Sequence, residues 1–179
     1  MKTAAIILAA GKGTRMKSDM AKIFHEIGGQ PMLNYVVDAV RGAGVDKIYV
    51  IIGRQAKEVE RRFKGSNVHF VHQKQQLGTG HAVKMATKHL ENFEGNIFIL
   101  NGDTPLITSK TLMHLLGTHT EANAAATVLT AEVADPSGYG RIIRGEHGTI
   151  TKIVEHKDAT HKELIIKEIN TGSYCFKSI

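Results

Sequence analysis

The stretch Ile6-Ile7-Leu8-Ala9-Ala10-Gly11-Lys12-Gly13-Thr14-Arg15-Met16, followed by Lys22, decides how the rest of the chain is read. An apolar run of strand type ends in small residues, then turns through two glycines into a loop carrying three cations, Lys12, Arg15 and Lys22. Gly11 and Gly13 have no side chains, so a ligand can come close to the backbone and meet its N–H groups with anionic oxygens. The cations supply charge that amides alone lack. This is the composition of a phosphate cradle, the alternative being a basic glycine-rich turn with no ligand.

Spacing sorts the known kinds of cradle. A dinucleotide fingerprint needs G-x-G-x-x-G, but the third position is Met16, and the next strand ends Ile51-Ile52-Gly53-Arg54 without the acidic residue that holds a ribose. A P-loop needs four residues between its glycines and then Lys-Ser or Lys-Thr, whereas a single residue separates Gly11 from Gly13. An oxidoreductase using this loop for NAD is therefore disfavoured, and a P-loop NTPase is excluded.

Outward from the loop, strand-length apolar stretches alternate with helix-length ones, the pattern of a mostly parallel sheet with helices on both faces. The expected strands are Thr3 to Leu8, Val45 to Ile52, Val68 to Val71 and Asn96 to Leu100. Between them the expected helices begin at Pro31, at Gln55 and near Thr79, the last running to about Leu90, and another spans Ser109 to His119. Leu33, Val36, Val37 and Val40 form the apolar stripe of the first helix. In such folds ligands bind beyond the carboxyl ends of the strands. The basic loop, the Gln73 to His81 segment and Asp103 should therefore share one rim. After Glu121 the character changes to Ala124 to Glu132, a turn at Asp135 to Gly140, a hairpin of Arg141 to Arg144 with Thr149 to Val154, a polar stretch and a final apolar segment around Ile169 to Phe176.

A chain of 179 residues with 42% hydrophobic content can bury one substantial core, so we expect a single domain, about 1–120 binding nucleotide and about 121–179 binding sugar. The net charge of +6 suits an anionic ligand, yet the cations are scattered, and neither a nucleic-acid nor a membrane partner is expected. The mixed cluster Lys57-Glu58-Val59-Glu60-Arg61-Arg62 reads as a surface helix. One cysteine, Cys175, precludes an internal disulfide, fits a reducing compartment, and lies in an apolar segment where a buried role is expected. The N-terminal apolar run is too short to span a bilayer, and a cytoplasmic location is the default. None of the ten histidines shows metal-site spacing; His69 and His72 read as structural or surface residues.

Six segments occur in order: Leu8 to Met16, Gln76 to Ala82, Gly102 to Ile107, Asp135 to Ile142, Ile153 to Thr160 and Glu168 to Gly172. Together they resemble the uridylyltransferase (pyrophosphorylase) domain of the bacterial bifunctional N-acetylglucosamine-1-phosphate uridylyltransferase family. The resemblance implies a Rossmann-like nucleotidyltransferase domain, working with Mg2+, that makes the peptidoglycan precursor UDP-N-acetylglucosamine and pyrophosphate from UTP and N-acetylglucosamine 1-phosphate. It implies Arg15, Lys22 and Asp103 as catalytic residues, with Asp103 also the magnesium ligand. The backbone of Leu8, Ala9, Ala10 and Gly11 would lie against the nucleotide or sugar, Gln73, Gly78 and Thr79 against uracil, and Asn101 and Gly102 beside the sugar nucleotide. Gly140, Glu155 and Asn170 would hold the sugar; without the resemblance they read as a turn, a surface charge and a strand end. Lys12 either helps or is solvated, Gln75 and Gln76 need no role, and Asp103 could instead cap a turn.

The chain departs from the family pattern at Ala21, where the family usually has proline before the lysine, which puts the rigidity of that loop in doubt. Members of the family continue past this chain's last residues, contribute an asparagine there as a second magnesium ligand, and in bifunctional cases lead into a β-helix domain through which they form homotrimers. By itself this chain is expected to be a monomer, and either a working enzyme or a fragment that binds without turnover. Another sugar phosphate or nucleoside triphosphate is the alternative within the class.

Overall fold

The opening apolar run forms β1 (Thr3–Leu8), with Ala4, Ala5, Ile6 and Ile7 all buried. A strand covered on both faces shows such a continuous run in place of alternation. The computed structural model describes residues 2–11, 13, 16–18, 20–53, 55–63, 65 and 67–178. After a single 3-10 turn at Lys22–Phe24 comes a tight hairpin, β2 (Glu26–Ile27) and β3 (Gln30–Pro31), closed by Gly28 and Gly29. Helix α1 (Met32–Gly42) buries the expected Leu33, Val36, Val37 and Val40. Pro31 stands one place earlier than expected, at the N-cap, because its residue already pairs in the hairpin.

β4 (Lys47–Ile52) follows, and then α2 (Ala56–Arg62), whose Glu58 carboxylate meets Arg61 at 2.8 Å and Arg62 at 2.7 Å. Those two guanidiniums hold the Glu58 carboxyl down to about 2, as a solvated, charge-laced helix face would. β5 (His69–His72) leads to α3 (Thr79–Thr87), which stops short of Leu90. Here the bonds His89 N–H to Ala86 O and Phe93 N–H to Leu90 O tighten the chain into successive turns, which bring Phe93 into the core. β6 (Asn96–Asn101) and α4 (Ser109–Glu121) complete the series; the Thr108 hydroxyl accepts from the Thr111 amide and caps α4.

The remaining elements are β7 (Ala126–Glu132), β8 (Gly140–Arg144), β9 (Ile150–Val154), the short α5 (His161–Leu164) and the long β10 (Glu168–Lys177). α5 arises inside a stretch that looked merely polar. Its start is a capping box, in which Thr160 and Glu163 satisfy each other's backbone amides.

The chain divides into two compact units, residues 1–127 with 174–179, and residues 128–173. In the first, the strand order β5-β4-β1-β6 is parallel throughout, and residues 174–177 of β10 run antiparallel beside β6. The sheet is thus mixed: its final strand returns in the opposite sense. Ile6, Tyr49, Ile51 and Val71 pack with Ala82 and Ala86 of α3, while the alternate residues Ile7, Val50 and Ile52 are equally buried. Both faces are therefore covered, the α/β arrangement that the alternation of segments implies. In the second unit β8 pairs with β9 and with the Ile169–Asn170 end of β10, all antiparallel. Arg144 grips Glu168 through two bonds, at 2.7 and 2.6 Å, tying the hairpin to β10. Among the described residues no helix is long and apolar enough to cross a membrane.

Candidate active site

Register builds the rim of the first unit. Leu8 lies beside Asn101, and the ladder runs one step past each strand: Gly102 N–H donates to Leu8 O at 2.9 Å, Ala9 N–H to Ile51 O at 2.9 Å, and Gln73 N–H to Ile52 O at 2.8 Å. The three loops that leave β1, β5 and β6 are therefore held at their roots by backbone bonds. They open on a cavity of about 560 Å³ lined by Leu8, Ala9, Ala10, Gly11, Gly13, Lys22, Gln73, Gln76, Gly78, Thr79, Asn101 and Asp103. Every described first-unit residue singled out for substrate lines it except Gly102, which is buried behind it with its amide on Leu8. Arg15 and Lys12 lie outside the described residues.

The polar groups in this cavity have definite partners. Lys22 Nζ is ion-paired with Asp103 Oδ2, and the two side chains are 33% and 30% exposed, so both remain reachable by a ligand. Thr104 Oγ1 donates to Asn101 O at 2.8 Å and braces the turn after β6, so the Asp103 carboxylate is turned to Lys22 and the brace falls to its neighbour. Gln73 is buried and donates its amide Nε2 to Gly78 O at 3.3 Å and to His81 Nδ1 at 2.9 Å. With both amide hydrogens engaged, its Oε1 is what it can offer a ligand. At the start of α3 no side chain caps the first turn, so the amides after Gly78 can meet an anion.

Two contacts here carry no signal in sequence spacing. Gln76, which seemed to need no role, donates Nε2 to Ala10 O at 2.5 Å and so ties the Gln73 to His81 segment to the end of β1. Gly53 sits where a β-carbon would fall 2.9 Å from Ala10 O and 2.8 Å from Gln76 Nε2. Gly13, at φ +59°, likewise leaves room for the Lys22 β-carbon, which a methyl there would approach to 2.9 Å.

Within the second unit Gly140, Glu155 and Asn170 come together. Gly140 pairs with Asn170 across β8 and β10, and a β-carbon on it would lie 3.2 Å from Glu155 Oε1 and 3.5 Å from Asn170 Cβ. Beside them Arg141 is fully buried; its guanidinium donates to the carbonyl of Tyr139 and, at 3.4 Å, to that of Leu164. Elsewhere Cys175 is buried in the first unit, and that burial pushes its thiol up to about 12, which removes it as a nucleophile. His69 stacks on Tyr49, and His72 pairs with Glu60 at 2.7 Å.

A match to the family of MobA-like NTP transferase domains covers residues 5–160. The chain belongs to that family. It is also a homologue of the bifunctional protein GlmU: it is 54% identical over 172 residues to that of Bacillus cereus strain AH187, and 53% identical over the same length to that of Bacillus mycoides strain KBAB4. Each alignment covers 96% of this chain and 37% of the relative, so the chain spans little more than a third of those proteins. Among solved structures, a candidate glucose-1-phosphate thymidylyltransferase from Bacillus anthracis in complex with sucrose superposes with a TM-score of 0.81 at 21% identity, over 98% of this chain and 71% of that one. A UDP-glucose pyrophosphorylase complexed with UDP-glucose gives 0.77 at 23% identity, over 99% and 76%. These two likenesses establish the fold.

The donor set also bears on the metal that the family resemblance implies. Among the described residues no three His, Cys, Asp or Glu gather into a cage. One part-exposed carboxylate, Asp103, at a cavity with cationic and amide lining suits a cation that keeps waters and takes most of its ligands from phosphates. The residues present fit magnesium on those terms.

Proposed function

We propose that this chain transfers a uridylyl group from UTP to N-acetylglucosamine 1-phosphate, giving UDP-N-acetylglucosamine and pyrophosphate. The observation that carries the proposal is the meeting of Lys22, Asp103, Gln73 and the amides after Gly78 in one first-unit cavity, in a chain 54% identical to GlmU over 172 residues. The nucleophile is a phosphate monoester with a second pKa near 6, already largely anionic at neutral pH, so no general base is required. The problem is electrostatic, since two polyanions must be held together while charge moves onto the leaving group.

The chain's own residues meet that problem in named ways. Lys22 brings a compact charge to the phosphates, with Arg15 as its partner, and the amides of the Leu8 to Gly11 backbone and of the first turn of α3 point at anionic oxygen. Asp103 is the residue that would hold Mg2+, whose part when bound is to screen the phosphates and neutralise charge on the departing pyrophosphate. Gln73 Oε1 accepts the N3–H of uracil; cytosine, with an acceptor at that place, is refused. In the second unit Glu155 and Asn170 hydrogen-bond sugar hydroxyls and the acetamido group, and the bare Gly140 leaves room beside them.

The test is pyrophosphate release from UTP with N-acetylglucosamine 1-phosphate, with and without Mg2+, run beside calorimetry of UTP binding. Turnover dependent on Mg2+ is expected. Binding without turnover would reduce the chain to a nucleotide-binding fragment, and faster release with another pair in a panel of sugar phosphates and triphosphates would replace the substrate assignment.

A further inference from the structure

We infer that Gln55 is a positioning residue for Lys22, acting through the backbone amide of Ala21; the inference rests on the function proposed above. Ala21 N–H donates to Gln55 Oε1 at 2.6 Å across 34 residues of chain. Ala21 immediately precedes the 3-10 turn that carries Lys22, and its backbone, at φ −56° and ψ 136°, has the angles a proline ring imposes. Alanine does not impose them, so the conformation needs an external tie. A proline here would have no N–H to give, which makes ring and tether alternative ways of holding one loop.

The surroundings favour a device aimed at the loop. Gln55 occupies the N-cap position of α2, yet its side chain does not cap that helix. Nearby main-chain bonds of described residues are local: Met16 N–H to Gly13 O, Met20 N–H to Ser18 Oγ and Phe24 N–H to Ala21 O. The other end of the turn also leans on α2, where the Arg62 guanidinium lies 4.6 Å over the ring of buried Phe24. Slack at Ala21 passes directly to Lys22, whose β-carbon is packed against the bare α-carbon of Gly13. The doubt about rigidity raised by the missing proline is thus answered by a hydrogen bond from another element.

The experiment is a cycle of Gln55→Ala, Ala21→Pro and the double variant, with Gln55→Glu as the conservative change. Hydrogen exchange of the Ala21 amide is read in the ligand-free protein with Gln55 and with Gln55→Ala, and kcat, KM, UTP affinity and Tm are read in all variants. Gln55→Ala should expose the Ala21 amide and lower kcat/KM about tenfold, the scale of one lost hydrogen bond, with Tm nearly unchanged. Gln55→Glu keeps an acceptor and should stay near wild type. In the Ala21→Pro background Gln55→Ala should cost little further activity, because ring and tether do the same work. Equal losses in both backgrounds, or an Ala21 amide as protected in Gln55→Ala as before, would overturn the inference. Absence of UTP binding and turnover in the wild type defeats the proposed function instead, and the amide exchange still decides the tether.

Discussion

Lys22 and Asp103 are ion-paired in the ligand-free protein, so the ammonium meant for phosphate and the carboxylate meant for metal neutralise each other until substrate arrives. Part-exposed pairs of this kind are worth roughly 0–1 kcal/mol, and little stability depends on it. Their exchange for new partners is therefore easy, but it must happen. Mg2+ alone should bind the wild type more weakly than it binds Lys22→Met, where the carboxylate has no competitor. Calorimetry of Mg2+ without nucleotide checks this, and equal affinities would show that the pair does not compete. Asp103→Asn should leave Tm within a few degrees and remove most turnover, a loss of about a hundredfold or more.

Gly53 predicts a different kind of damage. A methyl there meets a backbone carbonyl and the Gln76 amide together, and the carbonyl cannot swing away as a flexible side chain could. Gly53→Ala should cost about 1–3 kcal/mol of stability through overpacking and displace Ala10 in the cavity wall. Chemical denaturation and UTP calorimetry should show both losses. A variant with normal stability and weaker UTP binding would mean that Gln76 alone gave way.

In the second unit Gly140→Ala places its new carbon 3.2 Å from Glu155 Oε1, tight enough to push that carboxylate aside. We expect KM for N-acetylglucosamine 1-phosphate to rise about tenfold while UTP affinity stays constant, because the UTP contacts lie in the other unit. A fall in UTP affinity of the same size would contradict the division of labour between the two groups of residues.

What could be read from the sequence was what depends on neighbours along the chain. The apolar run of β1, the stripe Leu33, Val36, Val37 and Val40, and the small residues leaving β1 each state a local conformation, and the strand-helix alternation states the sheet. The first-unit rim was legible too, because parallel strands bring their carboxyl ends together whatever the details of packing. The antiparallel return of β10 was not, since an apolar segment does not record its direction beside β6. Nor were the contacts of Gln55 and Gln76, whose partners lie 34 and 66 residues away and are decided by tertiary approach. The β2 and β3 hairpin escaped for a third reason: two-residue strands are too short to show a period.

His119 makes stability depend on pH in a direction that can be worked out. It is buried on α4, with Nδ1 bonded to Thr127 Oγ1 at 2.8 Å and no partner on Nε2. Burial, and then the nearby Lys177 ammonium, hold its pKa below the ordinary 6.5. The unfolded chain therefore takes up the proton first as pH falls, and the stabilisation present above about 6.5 is lost as pH drops through the lower folded value. His119→Asn keeps an acceptor near Thr127 but cannot titrate. Comparing Tm between pH 7.5 and about 5, the wild type should fall more steeply than the variant, the gap opening below about 6.5. Parallel curves would mean that His119 is protonated without cost in the fold, and that the Lys177 ammonium is too far or too well solvated to oppose it.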